Sequence, residues 1–117
     1  MADSGALVDL AYRQIVHEIR SASVTAAELA EMVGVRERQV QHWASGTYKP
    51  QGEAKDRLLE VKYIIDLLKE VYRPEGIDIW LHGRNRGLDG QRPIDLLRVG
   101  QFRPVLDAID RLTHGAM

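Results

Sequence analysis

Thr25–Gly46, TAAELAEMVGVRERQVQHWASG, is the segment that most constrains how this 117-residue chain folds. Its apolar spacing predicts two short helices that pack against each other, with Gly34 at the turn between them. Glycine tolerates the left-handed backbone of a sharp turn, and the small Ala30 allows the second helix to approach closely. Val40 and Trp43 of the second helix then point back at the first. These offsets are typical of a helix-turn-helix, whose second helix recognises DNA.

The ends of both predicted helices carry capping signals. Thr25 and Glu28 can form a capping box at the start of the first helix, whose apolar face includes Leu29 and Val33. Gly46 stands where a C-cap glycine is expected to end the second helix. The segment therefore indicates where both helices begin and end.

The outer face of the second helix carries the side chains that could recognise DNA, because arginine, glutamine and histidine hydrogen-bond to base edges and phosphates. The predicted DNA-binding residues are Arg36, Arg38, Gln41 and His42. The alternative is an ordinary helical hairpin whose outer face is solvated. Five basic residues between positions 25 and 57 are balanced by five acidic ones. A single copy should therefore bind DNA weakly, and useful affinity would need a dimer or a larger assembly.

Composition limits the class of protein. Hydrophobic residues make up 44% of the chain and charged residues 28%, as in ordinary globular proteins. A formal net charge of −1 argues against coating nucleic acid or lying on an anionic membrane. The sequence shows neither a membrane-spanning apolar run nor a signal-peptide pattern, so we expect a cytoplasmic protein. The absence of cysteine excludes disulfides and thiolate metal sites.

Helical periodicity continues on both sides of the motif. Residues Ala6–Arg20 predict a first helix that packs on the helix-turn-helix. Its predicted packing residues are Leu7, Leu10, Ala11, Ile15 and Ile19. After Gly46, a loop contains Pro50. In this loop Tyr48 and Lys49 could touch the DNA backbone, or they could be a packing aromatic beside a solvated lysine.

The longest predicted helix runs from about Glu53 to Tyr72 and ends because Pro74 disfavours a helical residue before it. A coiled-coil-like seam is formed by Ala54, Leu58, Val61, Ile65, Leu68 and Tyr72. The apolar face is widened by Leu59, Ile64, Leu67 and Val71. We therefore expect this helix to be buried on more than one side, against the C-terminal segment or against a second subunit.

The C-terminal part predicts three short helices around a glycine-punctuated loop. The first begins near Pro74 and places Trp80 in the core, and Pro93 opens the second from its first turn. The third runs from Phe102 and frays at Gly115. Its apolar residues are Phe102, Val105, Leu106, Ile109 and Leu112. Everything assigned is helix, so the predicted fold is all-α.

The stretch Ile79–Gly100 contains W-L-x-G-R-N-x-x-L-D-G-x-x-P-I-D-L-L-R-x-G. With this motif the chain resembles the Xre/MbcA/ParS antitoxins, and the preceding helix-turn-helix completes their architecture. The resemblance implies an Xre-type helix-turn-helix bundle followed by a small helical toxin-binding domain. We place the division between residues 1–52, the N-terminal helix and helix-turn-helix, and residues 53–117, the long helix and C-terminal part.

The resemblance also implies two partners. One is a cognate RES-domain toxin that degrades or transfers from NAD, whose active site the C-terminal domain of the antitoxin covers. The other is operator DNA, through which the antitoxin represses its own operon. A homodimer or a larger hetero-oligomer with the toxin is the expected assembly.

Residues 84–103 hold five arginines and two acids, and are therefore basic by three charges. Arginine suits bidentate contacts with carboxylates or phosphates, so this arm is predicted to meet the toxin; a solvated basic face is the alternative. The predicted toxin-binding residues are Arg84, Asn85, Arg86, Leu88, Asp89, Arg92, Arg98 and Arg103. The segment from Asn85 to Gly90 should form a turn whose side chains bond their own backbone. Asp95 should pair with Arg92 or help to cap the helix.

Catalysis finds little support in the sequence. The histidines at positions 17, 42, 82 and 114 lie on separate predicted elements without metal-ligand spacing. The glycine-bearing segment RNRGLDG follows no strand, so it is neither a dinucleotide fingerprint nor a phosphate loop. We therefore expect that the protein is not an enzyme and that it binds neither a metal ion nor a cofactor. Two classes remain: an antitoxin that also represses transcription, and a plain helix-turn-helix regulator whose C-terminal half dimerises or senses a ligand.

Overall fold

The structure, a computed structural model, describes the backbone of residues 4–114 and the side chains of residues 10–114. In chain order, its helices α1 to α7 span Ser4–Ser21, Ala26–Val33, Glu37–Ser45, Gly52–Val71, Pro74–His82, Pro93–Arg98 and Phe102–His114. Between residues 4 and 114 there is no β-strand, only an isolated antiparallel bridge between Asn85 and Gln91. The all-α prediction is confirmed.

The predicted helix-turn-helix is formed by α2 and α3. The Thr25 hydroxyl accepts a hydrogen bond from the Glu28 amide at 3.0 Å, and the Thr25 amide donates to the Glu28 carboxylate at 2.9 Å. This is the expected capping box. Gly34 and Gly46 end the two helices with left-handed φ angles of 77° and 78°. Val40 is fully buried, which confirms the predicted register of α3.

The long helix α4 occupies the centre of the fold, because α1, α2, α5 and α7 all pack against it. Its fully buried residues are Leu58, Val61, Ile64, Ile65 and Leu68. Buried side chains from both predicted parts of the chain belong to one hydrophobic cluster. The division between residues 52 and 53 stays a prediction.

On α1, the prediction of the packing face was partly wrong. Leu10 is 51% exposed and Ala11 is also exposed, whereas Val16 and Ile19 are fully buried. Leu10 precedes Ile19 by nine residues, which at about 100° per residue is half a turn of a helix. The two side chains therefore lie on opposite faces. The predicted packing residue Leu7 lies outside the described side chains.

Apolar residues at the edges of the fold are also more exposed than predicted. On α4, Leu59 is 42% exposed and Val71 38%, so the apolar face is wider than the buried one. Leu112, near the end of α7, is 37% exposed, and Trp80 is only half-buried against the core. Helical spacing places a residue on a face, but only the neighbouring helices decide how far burial extends. The predicted fraying at Gly115 lies outside the described residues.

We expect Trp43→Ala to destabilise the protein strongly, because Trp43 is only 4% exposed in the core formed by α1, α2 and α3. Truncation of a buried tryptophan typically costs about 3–5 kcal/mol in the free energy of unfolding. Urea denaturation of the wild type and the variant measures this cost. Tyr48→Ala is the matched control, because Tyr48 is 62% exposed. Equal midpoints for Trp43→Ala and the wild type would contradict the assigned core.

Candidate functional site

The outer face of α3 is the candidate DNA-binding surface. Because Val40 and Trp43 turn inward, Arg36, Arg38 and Gln41 are exposed. Glu37 lies among them in the first turn of α3, where the positive end of the helix dipole stabilises its negative charge. The face therefore offers arginine and amide donors directed at solvent.

His42, the fourth predicted DNA-binding residue, has a different environment. Its ring is half-buried and meets the ring of Tyr48 edge-on, with centroids 5.0 Å apart and an interplanar angle of 66°. The amide of Thr47 donates to the His42 carbonyl at 2.9 Å, which folds the loop back onto the end of α3. His42 therefore holds the exposed Tyr48 in place beside this face.

Arg13 of α1 also lies beside the end of α3, and the sequence analysis did not single it out. A Cβ atom added to Gly46 would come within 2.7 Å of the Arg13 side chain. The φ of 78° at Gly46 favours glycine, and the close approach places the Arg13 guanidinium near the candidate DNA-binding face. Sequence spacing carried no signal for this contact, because it depends on how α1 crosses α3.

In the turn predicted for residues 85–90, side chains hydrogen-bond the turn's own backbone. The Asn85 side-chain oxygen accepts from the Gly87 amide at 2.9 Å, and a single 3₁₀ turn follows at Arg86–Leu88. Asp89 adopts a left-handed φ of 56°, which closes the turn. Leu88 is only 5% exposed. Asn85 and Leu88 therefore shape the turn, and Asp89 is exposed on its surface.

Two of the predicted contact arginines form bidentate ion pairs within the chain. Arg92 donates to both oxygens of Asp95, each at 2.8 Å, and this confirms the expected pairing. Arg98 donates to both oxygens of Glu31 at 3.1 Å, which joins α6 to α2. The pairing with Asp95 raises the pKa of Arg92, and the pairing with Glu31 raises that of Arg98.

The remaining arginines of the arm are more available. Arg84 donates to the Gly90 carbonyl at 3.1 Å, and Arg103, whose side chain is 84% exposed, lies 3.3 Å from Asp107. Arg86 is exposed at the tip of the turn. The structure thus brings Arg84 and Arg86 together with Asp89 on one exposed turn.

Arg111 is a further arginine that the sequence analysis missed. It donates to the Gly87 carbonyl at 3.2 Å and so fastens the turn to α7. The two residues are 24 positions apart in the chain, and no local pattern links them. The turn therefore packs directly against α7.

Among the residues that the structure describes, no group of histidine, aspartate or glutamate side chains could hold a metal ion. A groove of about 740 Å³ lies between α1, the start of α2 and α5. On its wall the His82 ring lies 2.9 Å from the Asp78 carboxylate and 3.5 Å from that of Glu28. Since Glu28 also closes the capping box, this cluster braces α2 against α5.

Comparison with known proteins matches both parts of this architecture. The family described as the antitoxin Xre/MbcA/ParS C-terminal toxin-binding domain matches residues 67–115. A probable mycobacterial cidal antitoxin of Mycobacterium tuberculosis is 36% identical over 103 residues, which cover 88% of each chain. The chain belongs to the Xre/MbcA/ParS antitoxin family.

Two further similarities extend along most of this antitoxin. The mycobacterial cidal antitoxin MbcA of Mycobacterium bovis is 34% identical over 97 residues, which cover 83% of this chain and 86% of that protein. One chain in the crystal structure of the M. tuberculosis MbcT–MbcA toxin–antitoxin complex superposes with a TM-score of 0.74 at 31% identity. This superposition covers 91% of the antitoxin and 96% of that chain. No helix in the described part of the antitoxin is long and apolar enough to cross a membrane.

The Arg92–Asp95 pair predicts a pH-dependent contribution to stability. Hydrogen bonding from Arg92 lowers the pKa of Asp95 in the folded state. The stabilisation is therefore complete above the unfolded-state pKa and is lost as the pH falls through the lowered folded-state pKa.

We expect Asp95→Asn to lower the melting temperature slightly at about pH 7, and the deficit to disappear well below about pH 4, where the wild-type carboxyl is also neutral. Thermal melts over this pH range measure the effect. Asp56→Asn, at an exposed position on α4, is the control. A deficit that stays constant at all pH values would show that packing, not the ion pair, is responsible.

Proposed function

We propose that this antitoxin neutralises a cognate RES-domain toxin that consumes NAD, by covering the toxin's active site, and that it represses its own operon by binding operator DNA. The observation that carries the first part is the likeness to a chain of the MbcT–MbcA toxin–antitoxin complex over 91% of the antitoxin. The second part is supported by the exposed α3 face.

The toxin-binding surface that we propose is the turn of residues 84–91 together with the outer face of α7. Arg84 and Arg86 project from the turn, and Arg103 projects from α7. Arg111 holds the turn against α7, so toxin contacts on both elements can be made without rearrangement. We propose that Asn85, Leu88, Arg92 and Arg98 act mainly by holding this surface in shape, because their side chains are buried or engaged within the chain.

DNA binding is proposed for an assembly, not for a single antitoxin. Base-edge contacts from Arg38 and Gln41 would supply sequence preference, and Arg36 would contact phosphate at the start of α3. The balanced charge of the segment around the helix-turn-helix provides little general attraction to DNA. Two or more copies, arranged as a homodimer or held together by the toxin, would place two α3 helices in successive major grooves.

A plain helix-turn-helix regulator is the second candidate function. It is favoured by two ion pairs within the chain, Arg92 with Asp95 and Arg98 with Glu31, because they reduce the positive charge that the arm offers to a partner. In that case the C-terminal part would dimerise or sense a ligand. Co-expression with the adjacent reading frame separates the two functions, because only the antitoxin would co-purify with a RES-domain protein.

We expect Arg38→Ala with Gln41→Ala to lose about 1–3 kcal/mol of preference for the operator per base contact, while toxin neutralisation is unchanged. Electrophoretic mobility shifts with the promoter of its own gene, at fixed salt, measure this preference against a scrambled duplex. Gln39→Ala is the matched control, because Gln39 is exposed on α3 but was not assigned to DNA. Unchanged binding by the double variant would contradict the assignment of α3 as the recognition helix.

We expect Arg86→Glu to weaken toxin neutralisation, since loss of one partner of a buried interface charge pair typically costs about 2–5 kcal/mol and the reversed charge adds repulsion. NAD loss with purified toxin, titrated with antitoxin, measures the effect. The double change Arg86→Glu with Arg92→Glu would be less informative, because it also breaks the pair with Asp95. Arg73→Glu, at an exposed arginine before α5, is the control with the same change in charge. Full protection by Arg86→Glu would place the inhibitory surface elsewhere.

A further inference from the structure

An open groove of about 450 Å³ runs between α4 and α7, and Arg103 of the proposed toxin-binding surface lies on its lining. Leu67, Leu106 and Ile109 supply its apolar lining. Tyr63, which is 56% exposed, forms one wall, and Leu59 extends the same stripe one turn earlier on α4. A stripe of leucine and tyrosine at a helix surface is costly to leave in water, so it indicates a surface that a partner covers.

The charge around this stripe has one sign on α4. The sector of the helix within about 60° of Tyr63 contains four acidic residues and no basic residue, by helical geometry. These acids are Asp56, Glu60, Asp66 and Glu70. Lys62 lies outside the sector, about 100° from Tyr63, but it contacts Asp66 and lies 3.3 Å from Glu18. Across the groove, α7 adds Asp107 and Asp110 to the rim. Arg103 lies 3.3 Å from Asp107 and His114 lies 3.0 Å from Asp110, so the four acids of α4 remain the main source of negative charge.

This charge distribution narrows the choice of occupant. A second copy related by two-fold symmetry would bring the same acidic sector of α4 against itself, and like charges at an interface cost several kcal/mol. A partner with apolar side chains among lysine and arginine would instead complement both the stripe and its rim. DNA is excluded as the occupant by the same negative charge.

We infer that the α4/α7 groove is a second toxin-contact surface, which takes an apolar side chain from a basic segment at the mouth of the toxin's active site. This inference rests on the proposed function. An enzyme that binds NAD must hold its two phosphates, and cationic side chains are the usual means. An acidic, apolar groove matches such a mouth, whereas the arginine-bearing turn would be repelled by it. The turn would therefore meet a different, acidic part of the toxin.

The test uses the full-length antitoxin and the purified RES-domain protein encoded beside it. Association and dissociation rates are measured at two salt concentrations by surface plasmon resonance. We expect Glu60→Lys with Glu70→Lys to slow association by about tenfold or more and to weaken its dependence on salt, because rim charges act on encounter. Glu37→Lys with Glu75→Lys is the control, since it makes the same change in net charge at exposed positions away from the groove.

Tyr63→Ala tests the apolar part of the groove separately. We expect it to raise the dissociation rate by about tenfold with little change in the association rate, because the contacts that the ring makes with the toxin exist only in the bound state. Tyr48→Ala is its control at a comparably exposed tyrosine. Wild-type rates for both groove variants, with tight binding by the wild type, would overturn the inference and leave the proposed function standing. No binding by the wild-type antitoxin would overturn both.

Discussion

The buried face of α4 is the contact on which both halves of this antitoxin depend. Leu58, Ile65 and Leu68 are fully buried there, and α1 and α2 pack on the same helix as α5 and α7. The helix-turn-helix thus shares its apolar support with the C-terminal helices. Burial of a leucine or isoleucine contributes about 1.5–3 kcal/mol, so this face supplies much of the stability of both halves.

Polar contacts set the orientation of the helices around this core, and two of these contacts involve α2. Its Glu31 is held by Arg98 of α6, and its Glu28 lies near His82 of α5. These contacts lie near the surface, where an ion pair contributes about 1 kcal/mol or less. Their effect is therefore geometric: α2 has few ways to lie on the C-terminal helices that satisfy both contacts. The first helix of the helix-turn-helix is in this way part of the framework that supports the C-terminal helices.

Several residues that carry the family resemblance serve the fold. Asn85 closes a turn, Leu88 anchors it, and Pro93 begins α6. Asp95 accepts hydrogen bonds from Arg92. The side chains left to contact a partner stand between and beside these framework residues, on a turn that is held by its own hydrogen bonds and by Arg111. Such an arrangement lowers the entropic cost of binding, because the contact surface needs little ordering.

The sequence alone determined the local structure of the antitoxin. Thr25, Gly34 and Trp43 identify the helix-turn-helix, because capping, left-handed turns and burial of one helix face depend on residues within a few positions of each other. The same locality predicted the turn at Asn85, and the motif of residues 79–100 identified the family.

Only the tertiary structure decided which apolar residues stay in water and which charges meet. Periodicity assigned Leu10 and Leu59 to apolar faces, but the neighbouring helices do not cover them. The Arg98–Glu31 pair joins positions 67 residues apart, and the α4/α7 groove depends on how those two helices lie against each other. The angle and position at which two helices cross are set by side-chain packing over the whole core, and no short stretch of sequence contains that information.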